Sequence, residues 1–114
     1  MTIDPSALDG YRQAMGDEAD AFIADVIAAY LENSPKLLAD IESALQQKDA
    51  PTFTRAAHTL KSSSALLGAM AVSKLALELE MLGKSAPLAG AQEKVLQIKQ
   101  EYEKASAALK AMLA

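Results

Sequence analysis

Apolar residues recur along the chain at steps of three and four, and the rhythm breaks at Gly, Pro and Asp. Asp4-Pro5 reads as a helix N-cap followed by Pro at the first helical position, with Ile3 placed to staple against Leu8. That predicts a short helix over about 5–14, closed near Gly16, with Asp17 as the next cap. Phe22, Ile23, Val26, Ile27, Tyr30 and Leu31 then mark one face of a helix. Ser34-Pro35 interrupts it: either a new helix starts there or one long helix kinks. Leu37, Leu38, Ile41 and Leu45 carry the stripe to about residue 47.

Asp49-Ala50-Pro51 opens another helix, which runs to about Leu67 and closes at Gly68. A further helix over about 71–83 turns Val72, Leu75, Leu79 and Leu82 inward, and Lys84–Gly90, holding Pro87, is a connection. From about Ala91 the steps Val95, Ile98, Tyr102, Ala105, Leu109 and Met112 alternate three and four, as at a bundle seam. The expected fold class is all-α: an antiparallel four-helix bundle with a short additional N-terminal helix, residues 1–114 forming one domain.

Composition narrows the chemistry. With 51% hydrophobic residues and 4% aromatics, the 114-residue chain can fill one core and favours helix over sheet. It has no cysteine, which excludes disulfides, zinc-thiolate sites and thiol nucleophiles and suits a reducing, cytoplasmic setting. A net charge of −4 argues against a nucleic-acid partner, whose phosphates need a basic face. No apolar run of about 18 residues and no basic segment leading into an apolar one is present, so neither a membrane span nor a signal peptide is expected.

One segment combines a nucleophile with a cation. On a helical wheel Phe53, Ala56, Ala57, Leu60, Ser64 and Leu67 gather on the core side, which puts His58, the only histidine, on the solvent side. Thr54, Lys61, Ser62 and Ala65 share its stripe at offsets −4, +3, +4 and +7, and all but Lys61 are short. An exposed imidazole, ordinarily titrating near about 6.5, is a competent neutral nucleophile. Phosphoryl transfer needs position and positive charge beside the phosphoryl oxygens, which a Lys one turn away supplies. The same geometry also describes a solvated face with no role.

The stretch His58-Thr59-Leu60-Lys61-Ser62-Ser63-Ser64-Ala65-Leu66-Leu67-Gly68 resembles the signature of histidine-containing phosphotransfer (HPt) domains: His-x-[Leu/Ile]-Lys-Gly, small residues, then Gly ten positions after the His. It matches at His58, Leu60, Lys61 and Gly68 and departs at Ser62, where Gly is usual; Ser is still small. The resemblance implies that His58 takes a phosphoryl group on Nε2 from a receiver-domain aspartyl phosphate or a histidine kinase and returns it to a response-regulator receiver, with Lys61 steadying the oxygens. It further implies a residue at offset +22, here Glu80, that orients the imidazole through Nδ1. Glu80 is equally placed as a surface charge paired with Lys84, and Glu78 is a substitute. Docking contacts are expected among Leu66, Leu77 and Met81, and Leu8 and Tyr11 of the short first helix, with Thr54, Ser62, Ala65 and Gly68 keeping access open. Each docking candidate also suits ordinary packing.

Ser63 and Ser64 are expected to face inward and bond a carbonyl one turn back. A bundle with one His and several Met can ligate haem, but His58 faces away from the core, so no cofactor and no metal is expected. With no Gly-rich phosphate loop and no Asp/Asn cluster suited to Mg²⁺, the chain is expected to be a phosphoryl carrier rather than an enzyme, and a monomer. The alternatives are a helical interaction module with an incidental histidine, or the phosphorylatable domain of a larger histidine kinase. Met1 followed so soon by a capped helix suits a free-standing protein.

The wheel has a direct test. Leu60→Ala, on the core face, should cost about 2–5 kcal/mol, whereas His58→Gln, on the outer face, should stay within about 0.5 kcal/mol. Thermal unfolding of both variants distinguishes the faces, and a strongly destabilised His58→Gln would put the histidine in the core.

Overall fold

A computed structural model describes residues 2–85, 88 and 90–113. Five α-helices are found among them: α1 (Ser6–Met15), α2 (Ala19–Gln47), α3 (Ala50–Leu66), α4 (Met70–Ser85) and α5 (Ala91–Leu113). Helices α2 to α5 form the bundle, packing in the cyclic order α2–α3–α4–α5, and α1 rests on α2 and α3. The long axis, 48 Å, follows α2, whose 29 residues span about 43 Å at helical rise.

Several expected boundaries are met by real caps. Asp49 caps α3, accepting hydrogen bonds from the Thr52 N–H at 3.2 Å and the Thr52 hydroxyl at 2.7 Å, with Pro51 in the first turn. Asp4 accepts from the Ser6 N–H at 3.0 Å and hydroxyl at 2.8 Å, which starts α1. Asp17 caps nothing: a 3₁₀ turn over Gly16–Glu18 leads straight from α1 into α2, and Gly16, at φ +59°, supplies the bend. Pro35 neither ends nor divides α2. It removes the amide that would bond the Leu31 carbonyl, costing about 3 kcal/mol, but Tyr30, Ser34, Leu38 and Ile41 on either side are buried in one face and hold the helix together.

The core follows the apolar stripes: Ile27, Ile41, Phe53, Leu60, Leu79 and Ile98 are wholly buried. Met112, expected at the seam, is exposed in the last turn of α5. Helix α4 is longer than its expected 71–83, reaching Ser85, so Lys84 is helical rather than part of the connection; Pro87 lies outside the described residues. Ser63 does bond the Leu60 carbonyl, at 3.3 Å. Ser64 instead meets the Tyr30 hydroxyl of α2 at 2.7 Å, which gives the buried phenol a hydrogen-bond partner.

Two glycines set how closely segments approach. Gly68, at φ +78° and buried, donates no side chain where the Asp4 backbone passes; its carbonyl accepts the Asp4 N–H at 2.8 Å. Gly83 faces Thr54 and Phe53 so closely that a Cβ would collide with the Thr54 hydroxyl, which brings α4 hard against the start of α3. Glycine elsewhere in a helix is only an entropic cost. Gly10, with open space around it, should therefore gain about 0.5–1 kcal/mol on Gly10→Ala, while Gly83→Ala should lose about 1–2 kcal/mol. Urea unfolding of the pair checks this; equal stabilisation of both would mean the α3–α4 contact is looser than described.

Candidate functional site

Helix α3 fixes His58 by its register. Phe53, Ala56, Ala57, Leu60 and Ser64 are buried beneath it, so the imidazole projects outward, with 58% of its side chain exposed. Helix α4 supplies what lies beside it. Because Gly83 admits Thr54 and the buried Ser73 hydroxyl bonds the Lys61 carbonyl at 3.0 Å, the two helices are clamped on either side of residue 58. Glu80 projects between them, its side chain only 7% exposed.

The Glu80 carboxylate is satisfied by three groups. Oε2 lies 2.9 Å from His58 Nδ1 and 3.4 Å from Lys84 Nζ, and Oε1 lies 2.8 Å from Lys61 Nζ. The Lys61 hydrogen bond is the main reason the carboxyl is held well below the usual range, at about 2; burial opposes it, and the His58 N–H adds to it. Glu80 is thus ionised at neutral pH and can only accept. Nδ1 of His58 must therefore carry the proton, and in the neutral ring the lone pair stands on Nε2, on the solvent side. Glu80 contacts both the imidazole Nδ1 and Lys84, and it is buried rather than a surface charge. Glu78 turns to α5 and pairs with Lys94 at 3.6 Å.

The remaining candidates divide. Ser62 is exposed and Thr54, Lys61 and Ala65 are half-buried around the histidine. Leu66, Leu77 and Met81 are exposed apolar residues, with Leu66 lining a groove of about 460 Å³ between α2 and α3. Tyr11 is half-buried, its ring 5.4 Å from that of the exposed Phe22. Two candidates are corrected. Leu8 is 1% exposed: it anchors α1 to the bundle and offers nothing to a partner. Gly68 is buried against Asp4, so it seats the N-terminal segment rather than opening access to His58.

Arg55 escaped the sequence reading. It lines a recess of about 470 Å³ with Pro51, Thr54, His58, Glu80 and Gly83. Its offset of −3 from His58, mirroring Lys61 at +3, was the available signal. Ser73 gave no such signal, because its role depends on which helix α4 meets.

The chain has relatives in sequence and in fold. The family model described as the Hpt domain matches residues 25–108. The chain is 36% identical over 87 residues to Sensor protein TorS of Escherichia coli (strain K12), covering 76% of this chain and 9% of that protein. It is 30% identical over 81 residues to Multistep phosphorelay regulator 1 of Schizosaccharomyces pombe (strain 972), covering 71% and 28%. The chain thus spans well under a third of the length of these curated relatives. Its fold matches histidine-containing phosphotransfer protein B of Pseudomonas aeruginosa PAO1 with a TM-score of 0.85 at 24% identity, over 96% of this chain and 92% of that one. It also matches the HPT domain of a sensor hybrid histidine kinase from Shewanella with a TM-score of 0.79 at 22% identity, over 98% and 93%.

The Glu80 pairing makes a pH-dependent contribution of definite sign. Its carboxyl falls from an ordinary 4.5 to about 2 on folding, so the contribution is complete above the unfolded value and is lost as pH drops through the folded one. The stability advantage of the wild type over Glu80→Gln should therefore shrink between pH 4.5 and about 2. Urea titrations across that interval measure it, and an advantage that does not change there would mean Glu80 gains nothing from its cations.

Proposed function

Since the chain belongs to the Hpt domain family, we propose that His58 is its phosphoacceptor, taking a phosphoryl group from a receiver-domain aspartyl phosphate or a histidine kinase and passing it to a response-regulator receiver. The observation that carries this is the pairing of an exposed Nε2 with an Nδ1–H held on the buried, ionised Glu80. The Nε2 lone pair forms the new P–N bond as the P–O bond to the receiver aspartate breaks, and that electron pair leaves on the aspartate carboxylate. The resulting phosphoimidazolium keeps its Nδ1–H on Glu80, where the opposite charge stabilises it. Return transfer is the same step reversed.

The chain acts as a carrier and not as an enzyme in its own right: the metal and the acidic residues come from the partner's receiver site. It works as a cytoplasmic monomer and has no nucleic-acid partner, in keeping with its charge of −4. Among the described residues no helix is long and apolar enough to cross a membrane. Partner contact extends from His58 over the exposed Leu66, Leu77 and Met81, with Tyr11 at the edge and the small Ser62 and Ala65 leaving the imidazole uncovered.

A phosphotransfer assay tests the reading. Phosphorylated receiver domains and histidine kinases from the same genome are mixed with the wild type, His58→Gln and Glu80→Ala. Acid-labile, alkali-stable phosphate should appear on the wild type and not on His58→Gln, and Glu80→Ala should be labelled roughly 10- to 100-fold more slowly, the range in which orienting partners of a working histidine act. Label on His58→Gln would place the phosphate on another residue, and no label from any donor would leave a helical binding module as the better description.

A further inference from the structure

Lys61 has two claims on it. In the resting protein its ammonium, 27% exposed, is bound 2.8 Å from Glu80 Oε1. A phosphoryl group on Nε2 of His58 adds close to two negative charges at an exposed ring one turn away and draws the same ammonium. If Lys61 simply left, Glu80 would keep the ring N–H but lose its closest lysine while only 7% exposed, and a buried charge stripped of one of its partners is unfavourable.

A second cation is already in place. Lys84 follows Glu80 by one turn of α4, its side chain is 66% exposed, and its Nζ lies 3.4 Å from Oε2. That contact is looser than the one Lys61 makes, so Lys84 can close further onto the carboxylate without moving the helix. We propose that Lys84 is a reserve counter-ion: when His58 carries a phosphoryl group, Lys61 moves from Glu80 to the phosphoryl oxygens and Lys84 takes over Glu80. This rests on His58 as the phosphate-bearing residue. Lys84 is then a positioning residue, acting on the phosphoryl group only by releasing Lys61. Arg55, on the other side of His58, feels the phosphoryl charge equally whichever lysine holds Glu80.

The exchange can be read from the phosphoryl group itself. Purified protein is phosphorylated with phosphoramidate, whose P–N bond breaks with loss of ammonia as Nε2 bonds to phosphorus, and the phosphohistidine signal is followed by ³¹P NMR against pH. A cation on the oxygens lowers the phosphoryl titration midpoint. Lys61→Met should raise that midpoint by roughly half a unit to one unit. Lys84→Met should raise it similarly, because Lys61 then stays on Glu80, and Lys84→Arg should restore it. In Glu80→Gln nothing traps Lys61, so adding Lys84→Met there should leave the midpoint unchanged. A wild-type midpoint in Lys84→Met overturns the exchange. So does an equal shift in the Glu80→Gln background, which would put Lys84 directly on the phosphoryl group. Chemical phosphorylation needs no partner, so failure of transfer from every receiver would strike the relay reading alone; a protein that takes no phosphate on His58 from phosphoramidate overturns both.

Discussion

A carboxylate removed from water must be met by positive charge and hydrogen-bond donors, and at Glu80 that requirement organises the site. Burial alone would push the carboxyl up and let it become neutral. The Lys61 ammonium and the His58 N–H reverse this, and Lys84 stands 3.4 Å from the same carboxylate. Once ionised, Glu80 determines which nitrogen of His58 bears the proton, and so which one is free. The chemistry at the exposed edge of the ring is thereby set by a group on the buried side, on a different helix. A histidine on α3 alone would have neither a fixed tautomer nor a fixed orientation.

The bundle is built to bring α4 close enough for this. Gly83 removes a side chain where Thr54 presses in, and Ser73 bonds the Lys61 carbonyl from the other direction. Glu80 lies between these two points. Gly68 serves the turn that reverses the chain from α3 to α4, and its missing side chain lets the Asp4 backbone close over it. The small residues of this hairpin therefore act by distance. Gly68 and Gly83 let a neighbour come nearer than an Ala would allow, and at Glu80 the approach at Gly83 together with the Ser73 hydrogen bond makes an α3–α4 contact tight enough to bury a charge.

Sequence carries some of this plainly and some not at all. The face of α3 was legible because Phe53, Ala56, Ala57, Leu60 and Ser64 repeat at helical period, and all five are buried. His58 on the outer side follows from the same period. Pro35 left open whether α2 ends or continues, because the burial of Tyr30, Ser34, Leu38 and Ile41 that carries the helix through it is a tertiary effect. Ser64 misled for a similar reason: its partner, Tyr30, is 34 residues away in sequence. Leu8 stood open between packing and docking because a ten-residue helix does not show in its own pattern which neighbour covers it; the bundle buries it. The pair of lysines on Glu80 was half visible, since the i+4 spacing to Lys84 can be read on one helix while the approach of Lys61 depends on the crossing of two.

The distribution of charge bears on how such a site meets its partners. Arg55, Lys61 and Lys84 surround one carboxylate at His58, so the patch is positive on a chain whose net charge is −4. Fields from a surface patch reach about 8–10 Å at physiological ionic strength. An anionic partner face therefore feels attraction at His58 and repulsion over much of the remaining surface, which favours encounters in one orientation. Long-range attraction of this kind speeds association more than it lengthens the complex. Leu66, Leu77 and Met81, exposed on the same two helices, are apolar surface whose burial acts only at contact range, so charge sets the approach to this face before apolar contact can.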